Sequence, residues 1–332
     1  MINAPRPRAV VEGIGSATPQ RVMTNHEFES LVDTTDEWIV QRTGIRERRV
    51  SGPDETTGTL SEAAARKALE VAGVEARELD LIVVATVTGD YPWPATACLV
   101  QAAIGAKNAG AFDISAACAG FIYGMSTVAA MIESGQVRKA LMIGGDTLTK
   151  IVDWTDRSTC ILFGDGAAAC VVGAQKQTDR GVIATVLRAD GSGAEHIICH
   201  KGGSKWPSCL PESADKSDKI FMAGKEVYRF AIIAMGDACE AVLHKANMCV
   251  EQVDLFVPHQ ANLRIIEAAA KRLNLPDEKV FINVDRYGNT SGGSIPLALD
   301  EAVREGRLRP GMVVMTVGFG AGLVWGANLI RW

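Results

Sequence analysis

Basic charge is not in excess in this 332-residue chain: 34 Lys and Arg stand against 39 Asp and Glu, a net charge of −5. It therefore has no basic footprint for nucleic acid. The start, MINAPRPRAV, is followed by no long apolar segment, so no secretory signal is expected. The eight cysteines, at 98, 118, 160, 170, 199, 209, 239 and 249, include no CxxC pair. A chain of this length needs no disulfide staples, and a reducing cytoplasm is the expected setting. No Pro-, Ser- or charge-rich linker divides the sequence, so it reads as one compact unit.

Charge is also missing from residues 114–132, a near-membrane length. Acidic rather than basic residues flank that run, and Ser, Thr, Gly and Ala are frequent in it. A helix buried in a large core is expected, not a membrane span. Apolar residues make up 47 % of the chain and charged residues 22 %, an ordinary globular balance.

What is present is a repeat. ELDLIVVATVT (78–88) resembles EQVDLFVPHQAN (251–262), and the segment 112–146 echoes 281–320. Each longer segment goes strand, small-residue turn, long helix, then a strand ending in glycines. The apolar strands (LIVVAT, ALMIGG, VVMTV) are near-continuous, as in sheets covered by helices on both faces. We therefore expect an α/β fold of two similar, mutually packed halves, 1–175 and 176–332. An irregular excursion is expected at 188–220.

Functional groups in such sheets collect at the carboxyl ends of strands. Cys118 follows strand FDIS, His259 follows LFVP, and Asn289 follows an expected strand VFINV through DRYG. Cys118 and Asn289 hold matching places in the two halves, so a pseudo-twofold packing brings them face to face. An arbitrary cysteine is usually core filler, as Cys170 in AAACVVG is expected to be. At a helix N-terminus with a histidine nearby, however, a thiol pKa is expected to fall toward neutral. His26, His196, His200 and His244 read as structural, and Asn289 alone could be a turn residue.

GIGSAT (13–18) has two glycines of a dinucleotide fingerprint but opens no helix, and no dinucleotide is expected there. GFGAGLVWG (318–326) can form a tight loop whose N–H groups meet an oxyanion. His196, Cys199, His200 and Cys209 have metal-ligand types, but their spacing matches no common zinc finger, and no metal is expected.

DISAACAGF, PHQANLR and RYGNTSGGS, in this order and spacing, resemble the β-ketoacyl-acyl carrier protein synthase III family, initiating condensing enzymes of bacterial type II fatty acid synthesis. The likeness extends to DTTDEWIVQRTGIRERR, DWTDRSTCILFGDGAAA and GFGAGLVWG. It implies the thiolase fold, two αβαβα halves in a five-layered core, and a homodimer. It also implies a decarboxylating condensation of a short acyl-CoA, acetyl-CoA in the family pattern, with malonyl-acyl carrier protein, and no cofactor.

By the same resemblance Cys118 is the nucleophile, His259 and Asn289 assist decarboxylation, and the N–H groups of Cys118 and Ala321 form the oxyanion hole. Ala321 replaces a glycine common in relatives, so its backbone angle must suit a Cβ. Trp38, Arg42, Arg157 and Asn262 are implied in CoA binding. Gln260, Ala261, Asn262, Leu263, Arg264, Lys271 and Arg272, extended by Arg229, are implied in carrier-protein docking. Trp93 is implied in the partner subunit's acyl pocket.

Thiolases are excluded because no cysteine follows Cys249, and elongating synthases because no histidine follows His259. Long-chain and polyketide-type condensing enzymes share the Cys-His-Asn set and stay open as alternatives. So does a non-catalytic carrier-binding scaffold.

Overall fold

The computed structural model describes residues 6–332; residues 1–5, the start of the segment expected to lack a signal, lie outside the described residues. The near-continuous apolar strands form two sheets. One contains β1 (Arg8–Ala17), β2 (Leu81–Ala85), β3 (Gly110–Ile114), β4 (Lys139–Thr147) and β5 (Asp165–Gln175), in the order β1-β5-β4-β2-β3. The other contains β6 (Gly181–Ala189), β7 (Leu255–Pro258), β8 (Val313–Gly320) and β9 (Val324–Arg331), in the order β7-β8-β9-β6.

The directions match between the sheets. β4 and β2 pair in parallel, as do β8 and β7, while β5 and β9 run antiparallel to both their neighbours. One element of the repeat departs from expectation. The counterpart of β3 is not a strand at VFINV but a single parallel bridge between Phe256 and Val280. The reason is a tertiary contact: Gln260 Oε1 accepts the N–H groups of Asn283 and Val284 at 2.9 and 3.1 Å, removing them from any ladder.

Helices fill three layers. The uncharged run becomes α4 (Gly120–Glu133), which packs with α7 (Ser294–Arg304) between the sheets. Phe121, Ile122, Met125, Val128 and Ile132 of α4 are fully buried, each stabilising the fold by roughly 1.5–3 kcal/mol. Outside the first sheet lie α2 (Thr57–Ala72) and α3 (Thr96–Ile104); outside the second lie α5 (Gly224–Ala246) and α6 (Leu263–Arg272). The result is a five-layered α/β fold. Among the described residues no helix is long and apolar enough to cross a membrane.

A smaller region built around α1 (Asp36–Thr43) packs beside the first sheet. The expected excursion contains a two-stranded ribbon, Ile197–Cys199 against Ile220–Met222.

Candidate active site

Cys118 lies in a 3-10 turn, Ala117–Ala119, between β3 and α4, so its sulfur sits where the strand ends and the helix begins. Ala117 has a φ of +44°, a left-handed conformation that costs roughly 1–2 kcal/mol for a residue with a Cβ. The turn is fixed from the other half of the molecule: a Cβ on Gly320 would fall 2.6 Å from the Cys118 nitrogen. Only glycine allows β8 to approach the Cys118 backbone this closely.

The Cys118 thiol donates to Ser291 Oγ at 3.3 Å and is also reached by the Asn289 side chain. Enclosure pushes the thiol up to about 12, and the Asp146 charge adds to the shift, while the hydrogen-bond contacts with Ser291, its own backbone and Asn289 oppose it. This corrects the expected lowering at a helix N-terminus. Desolvation of the thiolate outweighs the local donors.

His259 is the first residue after β7, and its N–H donates to Val317 O at 2.8 Å. The ring is buried, meets the Phe319 ring edge-on at 5.4 Å, and its Nδ1 lies 2.5 Å from Ser294 Oγ. Burial lowers its pKa to about 3, so the imidazole is neutral. Ser294 Oγ also accepts Gln260 N–H at 3.4 Å, and its hydroxyl is free to donate to Nδ1, the arrangement in which Nε2 carries the ring proton.

Asn289 is held by a parallel bridge to Phe163, with its N–H on Leu162 O at 2.8 Å. Its Oδ1 accepts Ser291 N–H at 2.8 Å, which leaves the amide NH₂ as the group available to the cavity. Ser291 and Ser294 thus orient Asn289 and His259. Both lie in the motif YGNTSGGS, but its serines carry no signal until the fold brings them to the thiol and the ring.

These groups converge. Cys118, His259, Asn289, Ser291, Ala321 and Asn262 line one cavity of about 370 Å³. Its remaining wall is largely apolar, including Leu148, Phe163, Ile198, Met222 and Phe319. Cys199 lines it too, so the ribbon of the excursion is a cavity wall. Ala321 is not among the residues with left-handed φ; the neighbouring Gly322 is, at +145°. A Cβ at 321 is therefore compatible with the loop.

Toward the surface, the Arg157 and Arg42 guanidinium carbons stand 5.1 and 5.7 Å from the Trp38 ring centroid. Arg157 also donates to Asp33 O at 2.5 Å. A flat ring between Trp38 and Arg157 requires twice the contact distance of about 3.5 Å, so Arg157 must shift outward to admit one. Asn262 caps α6 through Arg264 N–H and donates to Arg42 O at 3.1 Å, joining this cluster to the cavity rim.

The residues expected to dock a carrier protein separate into two sets. Arg264, Lys271 and Arg229 are exposed. Gln260 is buried and holds the 281–284 backbone, and Ala261 is buried in the cavity wall, so neither side chain offers a surface contact. Leu263 is partly buried against the apolar core of the second half. Arg272 turns toward α5, pairing with Asp237 at 2.7 Å and Glu240 at 2.8 Å. Eight residues after Arg264 it is rotated off the Arg264–Lys271 line, and the carboxylates of α5 complete the diversion.

Trp93 is 85 % exposed and lines no part of this chain's cavity. His196, Cys199, His200 and Cys209 do not converge: no group of three or more potential metal ligands occurs among the described residues.

Family models described as 3-oxoacyl-[acyl-carrier-protein] synthase III match residues 112–191 and, for the C-terminal part, 243–332. The beta-ketoacyl-[acyl-carrier-protein] synthase III of Symbiobacterium thermophilum is 51 % identical over 322 residues, covering 97 % of each chain. The chain belongs to the β-ketoacyl-acyl carrier protein synthase III family. The crystal structure of the Aquifex aeolicus 3-oxoacyl-[acyl-carrier-protein] synthase III superposes with a TM-score of 0.91 at 44 % identity, over 98 % of this chain and 100 % of that one. The priming β-ketosynthase of the R1128 polyketide pathway superposes with a TM-score of 0.91 at 39 % identity, over 99 % and 98 %. Synthase III membership agrees with the thiolase-like architecture of two matched sheets and three helical layers.

Proposed function

We propose that the chain initiates fatty acid synthesis by condensing a short acyl-CoA, acetyl-CoA in the first instance, with malonyl-acyl carrier protein. The observation that carries this reading is the convergence of Cys118, His259 and Asn289 on one largely apolar cavity.

In the first stage Cys118 Sγ attacks the thioester carbonyl, whose oxygen is received by the N–H groups of Cys118 and Ala321. A carbon–sulfur bond forms to the enzyme, the bond to CoA sulfur breaks, and CoA leaves as the thiol with the proton that Cys118 gives up. Trp38, Arg42, Arg157 and Asn262 hold the CoA. In the second stage malonyl-acyl carrier protein loses CO₂, and the electron pair passes to an enolate. His259, through Nε2–H, and Asn289, through its NH₂, donate to the enolate oxygen. The carbanion carbon attacks the acyl-cysteine, giving 3-oxoacyl-acyl carrier protein, and the released cysteine thiolate takes up a proton. No metal or redox cofactor takes part in these steps.

Exposed Arg264, Lys271 and Arg229 supply a basic approach for an acidic carrier protein to an enzyme of net charge −5. A homodimer is proposed through β3, the edge of the first sheet, with a second copy covering it. The exposure of Val87, Tyr91 and Trp93 nearby supports this face, and Trp93 then reaches the partner subunit's acyl pocket. A cytoplasmic location accords with the chemistry.

A priming role in polyketide synthesis is the second reading, favoured by the likeness to the R1128 enzyme. Intact-mass analysis after mixing protein, acyl-CoAs of two to about ten carbons and malonyl-carrier protein decides between them. Acetyl transfer to Cys118 followed by acetoacetyl-carrier protein supports initiation of fatty acid synthesis. Exclusive use of longer primers moves the chain to the second reading, and no acylation with any primer leaves only a scaffold.

A further inference from the structure

Asp146, near the end of β4, is 1 % exposed and makes no contact with substrate in the scheme above. Its Oδ1 accepts Thr86 Oγ at 2.9 Å, Val87 N–H at 2.8 Å, Thr88 N–H at 3.1 Å and Thr88 Oγ at 2.9 Å. Its Oδ2 accepts Gly292 N–H at 3.0 Å. A buried carboxylate is costly unless its lone pairs are filled, and here donors from two separate segments fill them. One segment, 86–88, follows β2 and contributes Val87 to the cavity wall. The other is the turn that carries Asn289 and Ser291.

That turn needs an external hold. Ser291 has a φ of +50° without being glycine, a conformation that costs of order 1–2 kcal/mol. The same turn places Ser291 Oγ on the Cys118 thiol and Ser291 N–H on Asn289 Oδ1. Gly292 is pressed against the first half, where a Cβ would fall 3.0 Å from Ala85 O and 3.4 Å from Asp146 Oδ2. The repeat clarifies the arrangement. Asp146 against Gly292 occupies the place that Gly320 against Cys118 has in the other half, with both members of the pair displaced by 174 residues, so the counterpart of Cys118 is Gly292 and not, as expected, Asn289. One half uses a glycine to bring a strand onto the nucleophile's turn; the other uses a carboxylate to grip the turn bearing the carboxamide.

We propose that Asp146 is a positioning residue whose carboxylate clamps loop 86–88 of the first half to the 289–292 turn of the second, holding Asn289 and Ser291 at the Cys118 thiol. The inference rests on the assignment of Cys118 and Asn289 to acylation and condensation. An asparagine at 146 cannot replace the clamp, because one side of its amide is a donor and would face either Gly292 N–H or the four donors at Oδ1.

The test compares full-length wild type with Asp146→Asn, Thr86→Val and Asn289→Ala. Acetylation of Cys118 is followed by intact mass, and condensation by CO₂ released from malonyl-carrier protein. Asp146→Asn should lower condensation by about tenfold or more, the size expected for a lost buried hydrogen bond, and should change acetylation by a clearly smaller factor, because the variant also removes a negative charge that acts on the Cys118 thiol. Thr86→Val, which removes one donor to Oδ1 with little change of shape, should shift the same ratio less, and it decides the matter if Asp146→Asn does not fold. Proportional loss of both steps, or unchanged condensation in the folded variants, overturns the clamp. Full condensation by Asn289→Ala instead overturns the catalytic assignment, whatever the other two do.

Discussion

Ser294 Oγ stands 2.5 Å from Nδ1 of His259, within hydrogen-bond reach of the buried ring. Gln260 N–H donates to the same oxygen, and a serine hydroxyl donated to Nδ1 leaves Nε2–H for the substrate side, the tautomer that the proposed mechanism uses. Ser294→Ala frees the ring to take the other tautomer. The expected outcome is near-normal acetylation of Cys118 and condensation slower by about tenfold, since one oriented donor to the enolate is lost. Separate assays of acyl-enzyme formation and CO₂ release check it.

Burial lowers the His259 pKa from 6.5 to about 3, and this has a consequence for stability. The unfolded chain binds a proton here below pH 6.5, whereas the folded chain binds one only near pH 3. The stability contributed by the neutral ring is therefore fully present above pH 6.5 and is lost progressively as pH falls toward 3. His259→Asn should flatten the dependence of the melting temperature on pH between 6.5 and 4.5 relative to wild type. Parallel melting curves for the two proteins across that window would show that the ring is not held neutral by its surroundings.

Arg264 and Arg272 share α6 but face different surroundings. Arg264→Ala should raise KM for malonyl-carrier protein severalfold, with the effect shrinking as salt screens the docking charge. Arg272→Ala should leave that KM unchanged. Its ion pairs with Asp237 and Glu240 are partly exposed, so their loss costs at most about 1 kcal/mol of stability. Steady-state kinetics at two ionic strengths, together with thermal melts, separate the two roles.

The repeat and the strand–turn–helix pattern made Cys118 and His259 legible, because strand ends and helix starts are written in local patterns of apolar and small residues. The presence of two similar α/β halves followed from the same repeat, but not the order of the strands in their sheets. VFINV looked like a strand because its composition is that of one, but the Gln260 side chain, a tertiary partner, takes its N–H groups. The roles of Ser291, Ser294 and Asp146 depend on approaches between segments more than thirty residues apart, which no local pattern encodes. The thiol's shift went the other way from expectation for a related reason. A helix start is visible in a sequence, whereas the enclosure that outweighs it is made by segments of both halves of the chain brought together in the fold.

Gly320 offers the sharpest test of how the two halves build the nucleophile's setting. The Cβ introduced by Gly320→Ala would lie 2.6 Å from Cys118 N, 3.0 Å from Ala117 Cβ and 3.3 Å from Ala119 N. Two of these neighbours are backbone atoms and the third is a Cβ fixed to the left-handed Ala117, so none can yield as a flexible side chain would. Either β8 or the 117–119 turn must move, and both carry an N–H of the proposed oxyanion hole or adjoin one. Acetylation of Cys118 should fall by about a hundredfold or more, the scale of losing an oriented oxyanion donor, and condensation should fall with it. That common loss distinguishes Gly320 from Ser294, whose removal spares the first step. Acetylation at the wild-type rate in a folded Gly320→Ala protein would mean that the close approach of β8 to Cys118 does not shape the reacting geometry.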